Sequence, residues 1–538
     1  MSLDPASLQV LVSRLTGIAE EMGAVLQRAA SSPNIKERAD CSAALFTPDG
    51  ELLVQAEHIP VHLGSMPASV RAAIDSLAGA DPVGLDPDLQ IVLNDPFAGG
   101  THLNDITFVA PCVVDGRLVG WAANRAHHAD VGGAAPGSLP ADATEIQAEG
   151  LRIPPVRWTP EVRALVLAAS RTPDERAGDL AAQLGANHLG VARLAELADA
   201  PVDEIVAYGE RRMRAALAAL PDGTWRFADV LDSFGPAPHQ QEPTPVVVAV
   251  TVDGDAVTFD FSGSGPQRRG NVNAVEAVTV SAVAWALRSV VDPTIPANGG
   301  ALRPVRVLAP RGTVVAAEPP VAVGAGNVEV SQRVADVCLG ALAQAVPDGV
   351  GAASQGTMNN VLVGGAGWVY YETVGGGQGG RPGRAGMSGV HTAMTNTDQV
   401  DYRSAEPRPG QSGIHTAMTN TRNTPIEALE RAYPMRVLRY RLRRGSGGAG
   451  WSAGGEGIER DLQVLEDATV SLITERRVSQ PWGLAGGEPG AVGENWLLSG
   501  GDERRAERLP DKCTIHLQAG DVLRMLTPGG GGWGARPG

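Results

Sequence analysis

Lysine is almost absent: Lys36 and Lys512 are the only two in 538 residues, and arginine supplies the remaining basic side chains. With 44 basic against 60 acidic groups, the formal charge of -16 argues against a general binder of nucleic acid or of an anionic membrane. Both functions depend on clustered positive charge. Cysteine is scarce as well. Cys41, Cys112, Cys338 and Cys513 lie far apart, with no C-x-x-C pair, so they read as small buried hydrophobes of a reducing, cytoplasmic setting rather than a disulfide frame. No apolar run approaches the ~18 residues of a membrane span. The N-terminal stretch also lacks a basic region followed by an apolar core, so no export signal is expected.

What is present describes an ordinary globular chain, 43% hydrophobic and 19% charged. Near the start, Leu8, Leu11, Leu15, Ile18, Met22 and Leu26 recur at helical spacing and predict an amphipathic helix. Short strands follow (AALFTP, ELLVQA, LQIVLND, ITFVAPCVV, LVGWAAN), then helical sequence over 160–220, 274–290 and 328–346. Around TPVVVAVTVDGDAVTFDF the period switches to two, with Asp253-Gly254 as the hairpin turn. The expected fold is mixed α+β, rich in strands and glycine turns, without a doubly wound nucleotide-binding sheet. Three regions are expected within one larger unit, 1–235, 236–436 and 437–538.

The ten histidines are unevenly spread, five of them falling between residues 58 and 128. GGTHLNDITF sets His102 and Asp105 three residues apart, just after Gly99 and Gly100. NRAHHADVGG delivers His127, His128 and Asp130 from a strand into a glycine-rich turn, and Asp40 stands at the start of another strand. His58 and His62 add further polar groups in QAEHIPVHLGSMP. A divalent metal needs imidazole nitrogen and carboxylate oxygen converging at about 2.0–2.2 Å, and loops at strand ends can hold such ligands in place. Mixed His/Asp sets suit Zn, Mn, Fe or Ni better than Mg or Ca.

Glycine, at 67 residues, is clustered in runs such as GGGQGG at 375–380 and PGGGGWG at 528–534. Neither run is GxxxxGK[ST] and neither has a lysine nearby, so tight turns and close backbone approaches are expected there rather than a phosphate loop. SGVHTAMTNT from Ser388 recurs as SGIHTAMTNT from Ser412, a local duplication.

Taken in order, NIKERADCSAALFTPDG, EHIPVHLGSMP, VLNDPFAGGTHLNDITF, NRAHHADVGG and ATEIQAEGLRIPP resemble the hydantoinase B/oxoprolinase family. Later segments match it too, among them DFSGSGPQRRGNVNA, GNVEVSQRVADV, YYETVGGGQGGRPG, HTAMTNTRNTPIEALE and the closing TPGGGGWG. The resemblance implies a B-type subunit of an ATP-dependent hydantoinase, 5-oxoprolinase or lactamase. A separate A-type, actin-like ATPase subunit would phosphorylate the substrate's carbonyl oxygen, giving a hetero-oligomer. It further implies a divalent metal ion held by Asp40, His102, Asp105 and His127, with His128 and Asp130 beside them orienting a ligand or carrying a proton. Glu145 or Glu149 would exchange a proton with water or with the ring nitrogen, and Glu149 is preferred. The family carries one HTAMTNT; here the copy that runs on into RNTPIEALE, with His415, is expected to hold its place rather than the copy with His391. Two rival readings are a subunit of a ketone carboxylase and a scaffold that only supports the ATPase.

Overall fold

The computed structural model describes residues 4–57, 59–77, 85–382, 407–408, 410–419 and 421–536. His58 and the first HTAMTNT copy, with His391, lie outside them. The fold is α+β, built from several small sheets and the helices that cover them. No helix among the described residues is long and apolar enough to cross a membrane.

The helix Pro5–Ala29 forms where the leucine spacing predicts it. Pro5 opens it and Asp4 caps it, accepting from the backbone of Ala6 and Ser7. Its apolar stripe packs on the helix Pro173–Ala195 and on the first sheet, in one buried cluster with Leu45, Val54 and Ala126. That sheet is six-stranded and wholly antiparallel. Its strands are β1 (Cys41–Phe46), β2 (Leu52–Glu57), β3 (Ile91–Leu93), β4 (Asp105–Val114), β5 (Arg117–His127) and β6 (Val156–Arg157), in the order β2-β1-β5-β4-β3-β6.

A second sheet holds β7 (Gly223–Leu231), β8 (Thr244–Asp253), β9 (Ala256–Asp260) and β10 (Val305–Leu308). The β8–β9 hairpin turns at Asp253-Gly254, where Gly254 has φ +58. Only β9 and β10 pair in parallel among the described strands, so the sheets are not doubly wound. The helices Glu276–Val291 and Ser331–Ala345 are buried over most of their length. They join a continuous core that runs from Ile59 to Ile473. A third sheet contains β11 (Asn360–Gly365), β12 (Trp368–Glu372) and the strands Ala468–Ile473 and Lys512–Leu517. A five-stranded sheet closes the chain.

The glycine runs at 375–380 and 529–532 make the close backbone approaches expected of them, without left-handed turns. None of the glycines in 375–380, 454–455 or 529–532 has a left-handed φ. They are extended segments lying backbone against backbone, closely enough to exclude a side chain. A Cβ on Gly455 would stand 1.8 Å from the Gln411 carbonyl oxygen, and one on Gly530 would stand 2.1 Å from that of Gln378. The segments are stitched by their own amides. Gly455 donates to Gln378 at 2.8 Å, Gly530 to Gly455 at 2.9 Å and Gly448 to Gly530 at 2.8 Å. Glycine is needed here for close approach, not for an unusual turn.

Candidate functional site

The histidines and aspartates converge because one edge of the first sheet collects the right strand ends. β1 begins there, β5 ends there and β4 begins there. The register sets Cys41 opposite Ala126 and Asp105 opposite His127, and the His127 amide donates to the Asp40 carbonyl at 3.0 Å. β2 runs out at the same edge into the turn Pro60–His62. The loop between β3 and β4 supplies His102. Gly99, with φ +93, and Gly100 permit its bend, since a Cβ on them would meet the Ala68 and Asn94 carbonyl oxygens at 2.5 and 2.7 Å. The Asn94 amide then ties the loop down by donating to Leu103 O at 2.7 Å and to Leu151 O at 2.9 Å.

At the centre of this edge three ligand atoms form a tight triangle. His102 Nε2 lies 3.1 Å from Asp105 Oδ1 and 3.0 Å from His127 Nδ1, which is itself 3.2 Å from Asp105 Oδ1. Two imidazole nitrogens facing each other beside a carboxylate oxygen need something between them, either the hydrogen of one ring's N–H or a cation. The corners of such a triangle are ~1.8 Å from its centre, so one cation with bonds of about 2.0–2.2 Å can reach all three. Among the described residues, this trio is the group whose ligating atoms all fall within 4.8 Å of one another.

The surroundings are almost dry. Asp105 is 1% exposed, and its second oxygen is 3.4 Å from His62 Nε2 and accepts from the Thr101 hydroxyl. Burial alone would raise its pKa, yet contacts with His102, His127 and His62 hold the carboxyl well below the usual range. Burial opposes a charge on His102, but Asp105 outweighs it, with Asp40 and Glu149 adding, so this imidazole is raised. His127 is pushed down to about 3, chiefly by burial. Asp40 lines the same cavity without joining the tight trio, and burial lifts it to about 7 against the pull of Arg38.

Opposite the trio stands a wall from much later in the chain. Tyr371 of β12 stacks on the His127 ring at 4.6 Å, with 21° between the planes, and its hydroxyl donates to Asn360 at 2.9 Å. Asn327, Val328, Met358, Thr373, Thr419 and Thr421 line the rest. About 280 Å³ is free of atoms out to the mouth, but only about 20 Å³ takes a water-sized sphere. In this conformation the cavity admits an ion and a water or two, so a ring substrate needs a wall to give.

The remaining residues singled out from the sequence take other places. Glu145 is exposed, whereas Glu149 is buried and accepts from the amides of Val323 at 3.1 Å and Gly324 at 2.8 Å. Burial raises Glu149 to about 7. It does not line the cavity, and its charge bears on His102. His128 also stays out of the cavity, with Nε2 2.9 Å from Gln183 Oε1. Asp130 is occupied by its own loop, accepting from the amides of Gly132, Gly137 and Arg171 and from the Arg171 guanidinium. Asp130→Ala should cost about 2–3 kcal/mol, because buried donors lose their acceptor, while bound metal is retained. Denaturant unfolding and metal analysis of the variant check both parts.

His62 was visible as a polar neighbour in EHIPVHLGSMP, but spacing alone did not place it on Asp105. Ser42 of β1 holds its Nδ1 at 3.0 Å, so the β1–β2 pairing sets its aim. No spacing rule links Tyr371 or the threonines to the N-terminal histidines.

The hydantoinase B/oxoprolinase family model matches residues 4–408 and 404–536. The two matches meet between the two copies of HTAMTNT. An uncharacterised protein of Methanocaldococcus jannaschii is 38% identical over 99% of this chain and 91% of its own length. 5-Oxoprolinase 1 of Arabidopsis thaliana is 36% identical over 99% of this chain, which spans only 42% of that protein. A Pseudomonas protein provisionally named as the B-type subunit of a D-/L-hydantoinase is 32% identical, over 99% of this chain and 90% of its own. Among solved structures, the ATP-dependent caprolactamase of Pseudomonas jessenii superposes with a TM-score of 0.86 at 27% identity, covering 100% of this chain and 93% of that one. Acetone carboxylase shares the fold, with a TM-score of 0.85 at 19% identity over 99% of this chain and 76% of that one. Matched from Asp4 to Arg536, the chain belongs to the hydantoinase B/oxoprolinase family.

Proposed function

We propose that this chain is the metal-dependent B-type subunit of an ATP-dependent cyclic amide hydrolase. It would open a hydantoin, 5-oxoproline or lactam ring, with a separate A-type ATPase subunit phosphorylating the substrate. The observation that carries this reading is the buried triangle of His102, Asp105 and His127, two of which, Asp105 and His127, line a cavity. The names of the relatives support it: 5-oxoprolinase, a B-type hydantoinase component and caprolactamase. So does their length. The chain spans 90% of the hydantoinase component but 42% of the plant oxoprolinase, whose remainder has room for a phosphorylating part that this chain would take from a partner.

A ring amide carbon is a poor electrophile, and phosphorylating its oxygen makes that carbon attackable. The oxygen of a water then bonds to the carbon, and the C–N electron pair leaves on nitrogen with a proton. The acyl phosphate that remains gives up phosphate to a second water. A divalent cation held by Asp40, His102, Asp105 and His127 would supply Lewis acidity and bring the pKa of water towards 7.

The chain's own groups set the stage for this. Asp105 aims His102 and His127 through one oxygen, while His62 and Thr101 fix the other. Tyr371, Val61, Val328 and Met358 keep bulk water from the floor, which strengthens every charge interaction there. Glu149 holds the Val323–Gly324 backbone and reaches His102 only through its charge, which adds to the negative field favouring a cation there. Glu149→Gln should weaken ion binding about 10–100-fold while turnover per bound ion is mostly kept. Chelator competition, with turnover normalised to metal content, checks this.

The test of the reading is product analysis with the chain and its ATPase partner purified together. Ring-opened acid formed from a cyclic amide, with ATP consumed and no need for bicarbonate, is the expected result. Bicarbonate-dependent conversion of a ketone, without ring opening, would instead identify a carboxylase.

A further inference from the structure

Arg38 is a buried guanidinium without a carboxylate partner. It is 1% exposed, and no acid lies within ion-pair distance of it among the described residues. Its hydrogen bonds all go to neutral oxygens, and its guanidinium lies over the Tyr371 ring, 4.8 Å from the ring centre. Nε donates to Arg422 O at 3.4 Å, and Nη1 donates to Tyr371 O at 3.0 Å and to the Asn34 side chain. Nη2 donates to Thr373 Oγ1 at 3.0 Å and to Thr421 Oγ1 at 3.4 Å. Glu372, the buried acid beside Thr373, is paired with Arg460 instead. Asp40 and Glu372 bear on this charge only from beyond ion-pair distance, so in direct contact it has hydroxyl and amide oxygens and an aromatic face, an arrangement that a bound anion would complete.

The hydroxyls it touches face the cavity. Thr373, Thr419 and Thr421 all line it, across from the carboxylates and histidines of the sheet edge. Thr373 and Thr421 are 2.8 Å apart, and Thr419 is 3.2 Å from Thr421. These two close contacts use two hydroxyl protons out of three; the other contacts of Thr419, to Thr373 Oγ1 and His415 Nδ1, are both 3.5 Å, long enough for the third proton to turn into the cavity. Two of the oxygens already accept from the guanidinium, which polarises their O–H bonds and makes them better donors. A divalent cation on the other wall would match Asp40 and Asp105, leaving the Arg38 charge over. Once a wall gives, as a ring substrate also requires, the cavity favours a compact anion with several acceptor oxygens, set between the threonines and the cation.

We infer that Thr373, Thr419 and Thr421, backed by Arg38, form the subsite for the phosphoryl group of the activated substrate. The inference rests on the phosphorylated substrate of the proposed function. The subsite holds the phosphoryl oxygens at the threonine wall, so that the attached carbon is presented to the sheet edge carrying His102, Asp105 and His127. Its three hydroxyls come from two segments of the chain, the end of β12 and the HTAMTNT copy that contains His415.

The test uses inorganic phosphate as the probe, titrated calorimetrically into the full chain loaded with one equivalent of Mn²⁺ or Zn²⁺. Saturable binding is expected, weaker for sulfate. Thr373→Val and Thr421→Val, nearly equal in shape to threonine, should each weaken phosphate about tenfold or more with metal content unchanged. Thr421→Ser should restore it. Thermal melts confirm that the variants are folded, and Thr419→Val serves if one is not. Absence of phosphate binding overturns the subsite, and so do valine variants that bind as tightly as the parent, since phosphate would then sit on the cation alone. Ring opening is scored separately in the complex. Threonine-dependent phosphate binding without ring opening supports the subsite and defeats the hydrolase reading. Ring opening without such binding does the reverse.

Discussion

Asp105→Asn is expected to yield a folded chain that holds no divalent ion and gives no measurable ring opening. The carboxylate is the common partner of the site. One oxygen is 3.1 Å from His102 Nε2 and 3.2 Å from His127 Nδ1, and the other is 3.4 Å from His62 Nε2. An asparagine of the same shape removes the charge that raises His102 and turns two N–H donors towards imidazole nitrogens. The ion then loses a ligand, and the two remaining histidines lose their aim. Several kcal/mol of transition-state stabilisation disappear, a fall in turnover on the order of 10³-fold or more. The strand itself is spared, because the residue enters β4 through its backbone, in register with His127. Elemental analysis, circular dichroism and turnover with the ATPase partner together check the result. A variant that keeps its metal would remove Asp105 from the centre.

Gly530→Ala should have an equally large effect on folding. Its Cβ would lie 2.1 Å from the Gln378 carbonyl oxygen and would meet the backbone of Gly379 at 2.7 Å. Neither neighbour is the flexible end of a side chain. The two segments have to part, and the amides stitching Gly530 to Gly455 and Gly448 to Gly530 go with them. Overpacking of a tight interior costs about 1–3 kcal/mol, and the lost backbone hydrogen bonds add to it. A loss of about 3 kcal/mol or more is expected, read as a fall in the denaturant midpoint or as insoluble expression. Gly185→Ala is the control. It lies in the helix Pro173–Ala195 with nothing within 4 Å of the new methyl, so it should be neutral or slightly stabilising. Equal behaviour of the two variants would contradict the backbone-packed arrangement.

The sequence was most informative where local chemistry governs structure. The leucines of the first helix are periodic because one face meets the Pro173–Ala195 helix, and Asp253-Gly254 turns because Gly254 accepts a left-handed φ. His102, Asp105 and His127 stood out because strand ends and glycine bends are where a sheet can present ligands. What was hidden depended on long-range register or on contact rather than conformation. Asp40 and His62 were visible as candidates, but that both reach one cavity follows from β1 pairing with both β5 and β2, and no interval in the chain encodes that pairing. Tyr371 and Thr421 arrive from a different sheet and a different segment. The glycine runs were legible as close backbone approaches, but no interval in the chain says which segment lies against which. Glu149 and Asp130 shared polar, glycine-flanked settings with the ligands, and only their amide partners show how each is used.

The central claim is that this chain opens a ring with a metal held at the β1–β4–β5 edge. It is tested most directly by stripping the chain with a chelator, recombining it with its ATPase partner and following ring-opened acid as divalent ion is returned. The account predicts no acid from the stripped chain, with activity rising to a plateau at one ion per chain and Asp105→Asn silent throughout. Acid formed at the same rate by the stripped and reloaded chains would contradict it.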